Sequence, residues 1–186
     1  MKKLHSVIAI LMVVLLIFGT TPRSYAVTPT STKTAQINNL FSRSHDFLTQ
    51  TLELCNTPER AACHDVVTQA IQHLNSGQSA HSKGNLTGAD RTQWLNEHAA
   101  YYMQIQTELH NIISNEYPHA EDASWQYHLP AKACLKTVPT WTCDQVMVAA
   151  TAICSLYFAA PVAGVVLAAI CEGASIYGYI QCVNAN

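Results

Sequence analysis

The sequence predicts an all-α protein, a stapled helical bundle followed by a disulfide-laced apolar helical hairpin. Three observations lead there. Apolar residues recur at three- and four-residue spacing through 35–116. The segment 145–186 carries a single charge, Glu172. Six of the seven cysteines fall into pairs whose spacing suits neighbouring helices. Hydrophobic residues make up 49% of the chain and charged residues 12%, against about 25% charged in an ordinary globular domain. A disordered polyampholyte is thereby excluded. Ten Lys and Arg against twelve Asp and Glu leave no basic excess for a nucleic acid.

The elements follow in order. Residues 1–26 read as a signal peptide. Lys2 and Lys3 precede an unbroken apolar run, Val7 to Phe18, and Ser24 and Ala26 supply small residues before a cut after Ala26. The run is shorter than the roughly 20 residues that a bilayer span needs, which disfavours the other reading, an uncleaved anchor. Cleavage removes Lys2, Lys3 and Arg23 but no acid, and it leaves all seven cysteines in place. A secreted, extracellular chain with this cysteine usage is expected to form disulfides. Residues 27–34, rich in Thr, read as a flexible leader.

Residues 35–117 are expected to form an amphipathic bundle. Ile37, Leu40, Phe41, Phe47, Leu48 and Leu52 mark one helix, which ends near Cys55. Thr57-Pro58-Glu59 opens the next, as N-cap, first-turn proline and dipole-matched acid. Its stripe of Val66, Val67, Ala70, Ile71 and Leu74 is expected to stop at Asn75-Ser76-Gly77, with a loop over 79–88. A long helix from Asp90 to about Glu116 follows, with Trp94, Leu95, His98, Tyr102, Ile105 and Leu109 on one face. Cys55 and Cys63 flank the Pro58 break. Eight residues along one straight helix would separate them by about 12 Å, too far for a bridge, so a Cys55–Cys63 staple implies a helical corner. Residues 118–141 contain three prolines and no apolar period, and read as a linker.

Residues 142–186 are expected to form the apolar hairpin. Thr142 and Gln145 make a capping box, reinforced by Asp144. Two helices of about 17 residues, each about 26 Å long, should flank a turn at 159–164. Cys143 and Cys154 are eleven apart, as are Cys171 and Cys182, and both outer and inner pairs centre between residues 162 and 163. Pairing within one helix would have to bridge about 16 Å, whereas a disulfide needs Cα atoms within about 7 Å. Only the nested set, Cys143–Cys182 and Cys154–Cys171, meets that limit, and Cys134 is left unpaired or linked to processing. Helices apolar on every side must be buried in protein or in lipid. The small pairs Gly164/Ala168, Ala169/Gly173 and Ala174/Gly178 suit close helix contact in a membrane, and they equally suit packing under the preceding bundle. Glu172 is a candidate intramembrane acid if the helix enters a bilayer, and a surface acid if it does not.

From Cys134 to Cys182 the chain resembles the cysteine-rich peptide of the halocin-type bacteriocins, through cysteines spaced along Ala/Gly/Val/Ile-rich helices and the turn Pro161-Val162-Ala163-Gly164. The likeness covers about 50 residues, and the family's peptide has more cysteines, so its connectivity does not carry over. The resemblance implies a secreted antimicrobial precursor. Its C-terminal hairpin would act on target-cell membranes after a processing protease cuts within 118–134, and the N-terminal bundle would mask the hairpin or confer immunity.

No catalytic residues, cofactor or metal are expected. His45-Asp46 and His64-Asp65 are similar to the His-Asp pair of secreted phospholipases, but the glycine-rich calcium loop and the accompanying acid are absent around both. His98, His110, His119 and His128 lack zinc-like spacing and are expected in solvated or capping roles. The competing expectation is a secreted, non-enzymatic structural or interaction protein whose hairpin is simply its core.

Overall fold

The computed structural model describes residues 33–117, 142–154, 157 and 163–185. The proposed signal peptide, the leader up to Thr32, the linker with Cys134, and most of the hairpin turn lie outside the described residues. Among the described residues there are five α-helices: α1 (Lys33–Leu54), α2 (Ala61–Ser82), α3 (Gly88–Glu116), α4 (Cys143–Cys154) and α5 (Gly164–Ala185), with a 3-10 turn, Pro58–Arg60, ahead of α2. There is no β-strand among the described residues.

The packing order is cyclic. α1 lies against α2, α2 against α3, α3 against α5, and α5 against α1. Cross-helix contacts give the directions. Phe41 of α1 meets His81 of α2, and Gly77 of α2 lies beneath Trp94 of α3. Asn184 of α5 bonds Asn96 of α3, and Tyr179 of α5 reaches the Gln36 carbonyl of α1. Each neighbour therefore runs antiparallel to the last. The result is an up-down-up-down four-helix bundle whose fourth helix is α5, with α4 strapped to the outside of α5.

The second hairpin helix is thus also the fourth helix of the bundle, the packing under the preceding helices that the sequence left open beside the membrane reading. Twelve residues of α5 are buried, and Ile170, Ile176 and Ile180 share one continuous core with Leu40, Leu48, Val67, Leu95 and Ile105. The physical reason is that three amphipathic helices leave their common apolar seam open on one side, and an apolar helix of matching length, charged only at Glu172, closes it. Within the described residues the two hairpin helices span 12 and 22 residues, where about 17 each was expected.

Local signals explain most boundaries. Thr57 is extended but makes no side-chain cap; its carbonyl accepts from Arg60 N–H at 3.1 Å, and the chain enters α2 through the 3-10 turn. Arg60 clamps this corner, pairing with both carboxylate oxygens of Glu116 and donating to the Leu54 carbonyl. α2 does not end at Gly77 but continues to Ser82. A Cβ at Gly77 would sit 2.2 Å from the Trp94 indole, so this glycine serves close helix approach. The stop is Gly84, whose φ of +75° suits glycine. The capping box of α4 is reciprocal: Gln145 N–H donates to Thr142 Oγ1 at 3.3 Å, and Thr142 N–H to Gln145 Oε1 at 2.9 Å.

Candidate functional site: the laced hairpin and its seam with the bundle

Three disulfides are present. Cys55–Cys63 has a Cα separation of 5.6 Å, Cys143–Cys182 of 5.8 Å and Cys154–Cys171 of 5.4 Å. The first locks the α1–α2 corner. The other two rivet α4 to α5 at both ends of the short helix, in the nested order that the spacing predicts. α4 packs chiefly on α5, burying Val146, Met147 and Ala150 along with its two cysteines. Its outward face leaves Val148 half exposed, and Val165 at the start of α5 is 57% exposed.

α5 is long and apolar enough to cross a membrane. It is held between α1 and α3 through a seam whose ends differ from its middle. At the end near the α1 N-terminus, Asp144 accepts from the Tyr179 hydroxyl and, at 3.3 Å, from Asn39 Nδ2. The Asn184 amide donates to Asn96 Oδ1 at 2.9 Å. Tyr179, buried and beside that carboxylate, has its phenol pKa raised. In the middle, Gly173 makes room for Gln106 of α3: a Cβ there would lie 2.2 Å from Gln106 Nε2 and 2.9 Å from the Phe47 ring. Both amide atoms of Gln106 are buried without a hydrogen-bond partner among the described residues. An orphaned buried polar atom costs about 1–3 kcal/mol, so this stretch of seam is imperfectly satisfied.

Glu172 stands beside Gly173, half-buried, on a small recess formed with Phe47, Gln50, Thr51, Leu54, Val165 and Ala169. It thus faces α1, which neither sequence reading of this residue anticipates. Burial raises its carboxyl pKa, Arg43 works in the opposite direction, and Asp46 adds to the rise.

His98 departs furthest from expectation. A solvated or capping role was expected, yet the ring is 0% exposed. It stacks on Trp94 at 4.8 Å and His73 at 5.6 Å, meets Tyr102 edge-on, and its Nε2 lies 3.2 Å from Ser44 Oγ. Nδ1 has no partner among the described residues. Burial, with help from the nearby His73, pushes the His98 pKa down to about 3. The signal available in the sequence was its place on the apolar stripe of α3, which outweighs its polarity. His119 and His128 lie outside the described residues.

Each His-Asp pair is a contact between sequence neighbours. His45 and Asp46 are exposed neighbours with Nδ1 and Oδ1 3.7 Å apart, and His64 and Asp65 are similar at 3.8 Å. No group of three His, Cys, Asp or Glu side chains could hold a metal among the described residues. Fold and site together define a disulfide-stapled, all-α up-and-down bundle carrying a membrane-length apolar helix. No family model, curated protein or solved structure matches the chain.

Proposed function

We propose that the protein is an exported, bacteriocin-like precursor in which α4 and α5 form a membrane-active hairpin and α1–α3 form its mask. The observation that carries this reading is the partition of the disulfides. One lies wholly within α1–α3, two lie wholly within α4–α5, and among the described residues none joins the two halves. A single cut in 118–134 would leave each half with its own staples and, among the described residues, only packing and hydrogen bonds between them. The membrane-length α5, with Glu172 as its one charged side chain, and the unsatisfied Gln106 on its seam support release of that hairpin to a lipid bilayer. The resemblance to halocin-type precursors points the same way. With Asp144 and Glu172 as its only acids and no Lys or Arg beyond Lys136, the hairpin would insert through apolar area and not through attraction to anionic lipid.

The buried length of α5 favours a second reading, a secreted structural or interaction module whose hairpin is its core. The two are separated by building a specific protease site into 118–134 of the full chain and cutting the purified protein beside dye-loaded phosphatidylcholine vesicles. Masking predicts no leakage from the intact chain and leakage at micromolar protein once cut. A cut protein that stays a two-chain complex and leaves the vesicles sealed at every pH tried establishes the module instead.

A further inference from the structure

Two buried or half-buried proton-accepting side chains lie along the packing of α5, His98 on α3 and Glu172 on α5 itself. His98 is enclosed by rings from α2 and α3 and by Ser44 from α1. The titratable groups facing it are His73 from α2 and Tyr102 on its own helix, with Tyr101 behind His73. Glu97 lies outside the stack, bonded to His73 Nε2 at 3.2 Å. Among the described residues no carboxylate is therefore placed to balance a proton on His98, and a proton on His73 would oppose one on His98 further. Glu172 is met by Arg43 and Asp46 from α1 and by the Tyr102 phenol from α3. α4 brings only Asp144, which is occupied by Tyr179 and Asn39 at the other end of the seam.

We propose that acid triggers departure of the hairpin from the bundle, with His98 as the group that opens the mask and Glu172 as the group that permits lipid entry. The inference rests on the masking reading above and adds its regulation. A proton on His98 would be buried where α1, through Ser44, and α2, through His73, meet α3, so it weakens the packing of the helices that hold α5. Protonated Glu172 leaves residues 145–186 without a charged side chain, removing the one ionised side chain that a bilayer interior penalises. One change in pH thus loosens the donor site and makes the acceptor phase more favourable. Burial lowering the His98 pKa and raising that of Glu172 agrees with both roles.

The test uses the full chain, cut at the engineered site in 118–134, with phosphatidylcholine vesicles carrying a pH-insensitive dye, from pH 7.5 to pH 4. The cut wild type should leak at least tenfold faster at the acidic end. Glu172→Gln should move the midpoint toward neutral pH by about one unit. His98→Phe, which keeps a ring in the stack and removes the proton acceptor, should move it toward lower pH. Circular dichroism and a thermal melt at pH 7.5 check that both variants fold. Leakage that is equal across the range, or a midpoint that neither substitution moves, overturns the acid trigger while leaving the masked hairpin standing. Vesicles that stay sealed at every pH overturn both.

Discussion

A fully buried histidine makes folding sensitive to acid with a definite sign. In the unfolded chain His98 titrates near 6.5, whereas in the bundle it resists protonation until about pH 3. Between those values the unfolded state binds a proton that the native state refuses, so stability falls as pH drops through that window. The full difference corresponds to about 5 kcal/mol, a large part of the roughly 5–15 kcal/mol that a domain has. Glu172 acts in the opposite sense. Its raised pKa means that its half-buried carboxylate costs stability above the usual carboxylate range, and that this cost disappears once it is protonated. Urea unfolding of the intact chain should therefore show a midpoint that declines from pH 7 to pH 4. His98→Phe should flatten most of that decline, and a slope unchanged by the substitution would assign the acid sensitivity elsewhere. Two neighbouring residues mark the limits of reading sequence at this scale. Gly77 carries the signature of a helix stop, but its use depends on the Trp94 indole arriving from another helix. His98 was visible on the apolar stripe of α3, yet its burial depends on Ser44 and His73, partners that only the assembled bundle supplies.

At the scale of elements, the most legible features were those that the chain determines locally or by simple geometry. The Thr142/Gln145 capping box, the corner at Pro58 and the nested cysteine register needed only spacing and the rise of a helix. Helix ends were less legible, because α2 runs past Asn75-Ser76-Gly77 once its last turns gain tertiary contacts with α1 and α3. The role of α5 was open for a different reason: an all-round apolar helix states that it must be buried but not in what. α4 is the element most dependent on covalent help. It is 12 residues long, near the length at which isolated helices are marginal, and it packs chiefly on α5. Its two disulfides close loops of 39 and 17 residues, which confine the unfolded chain by about 3–4 kcal/mol for a single crosslink of this size. Replacing Cys154 and Cys171 together with Ala should leave α1, α2, α3 and α5 protected in hydrogen exchange while the amides of the C-terminal half of α4 lose protection at least tenfold. Uniform loss across all five helices would show instead that the strap supports the whole bundle.

At the scale of the molecule, the connection between α3 and α4 decides how strongly the halves are held. α3 ends at the Arg60–Glu116 corner, while α4 begins at the opposite end, where Asp144 meets Asn39. No disulfide among the described residues bridges the two halves, so α5 stays in place through packing together with the tether. A tether of this kind supplies an effective concentration of the order of millimolar. Cutting it turns an intramolecular contact into a bimolecular one, and at micromolar protein the loss amounts to about 4 kcal/mol. The intact chain should melt at a temperature independent of concentration. The cut chain should melt lower, with a midpoint that rises as concentration is increased from 1 to 100 µM (about 3 kcal/mol over that range). The comparison requires neither lipid nor acid. If the cut protein melts at the same temperature at every dilution, the halves are joined by more than packing, and a hairpin that cannot leave cannot reach a membrane.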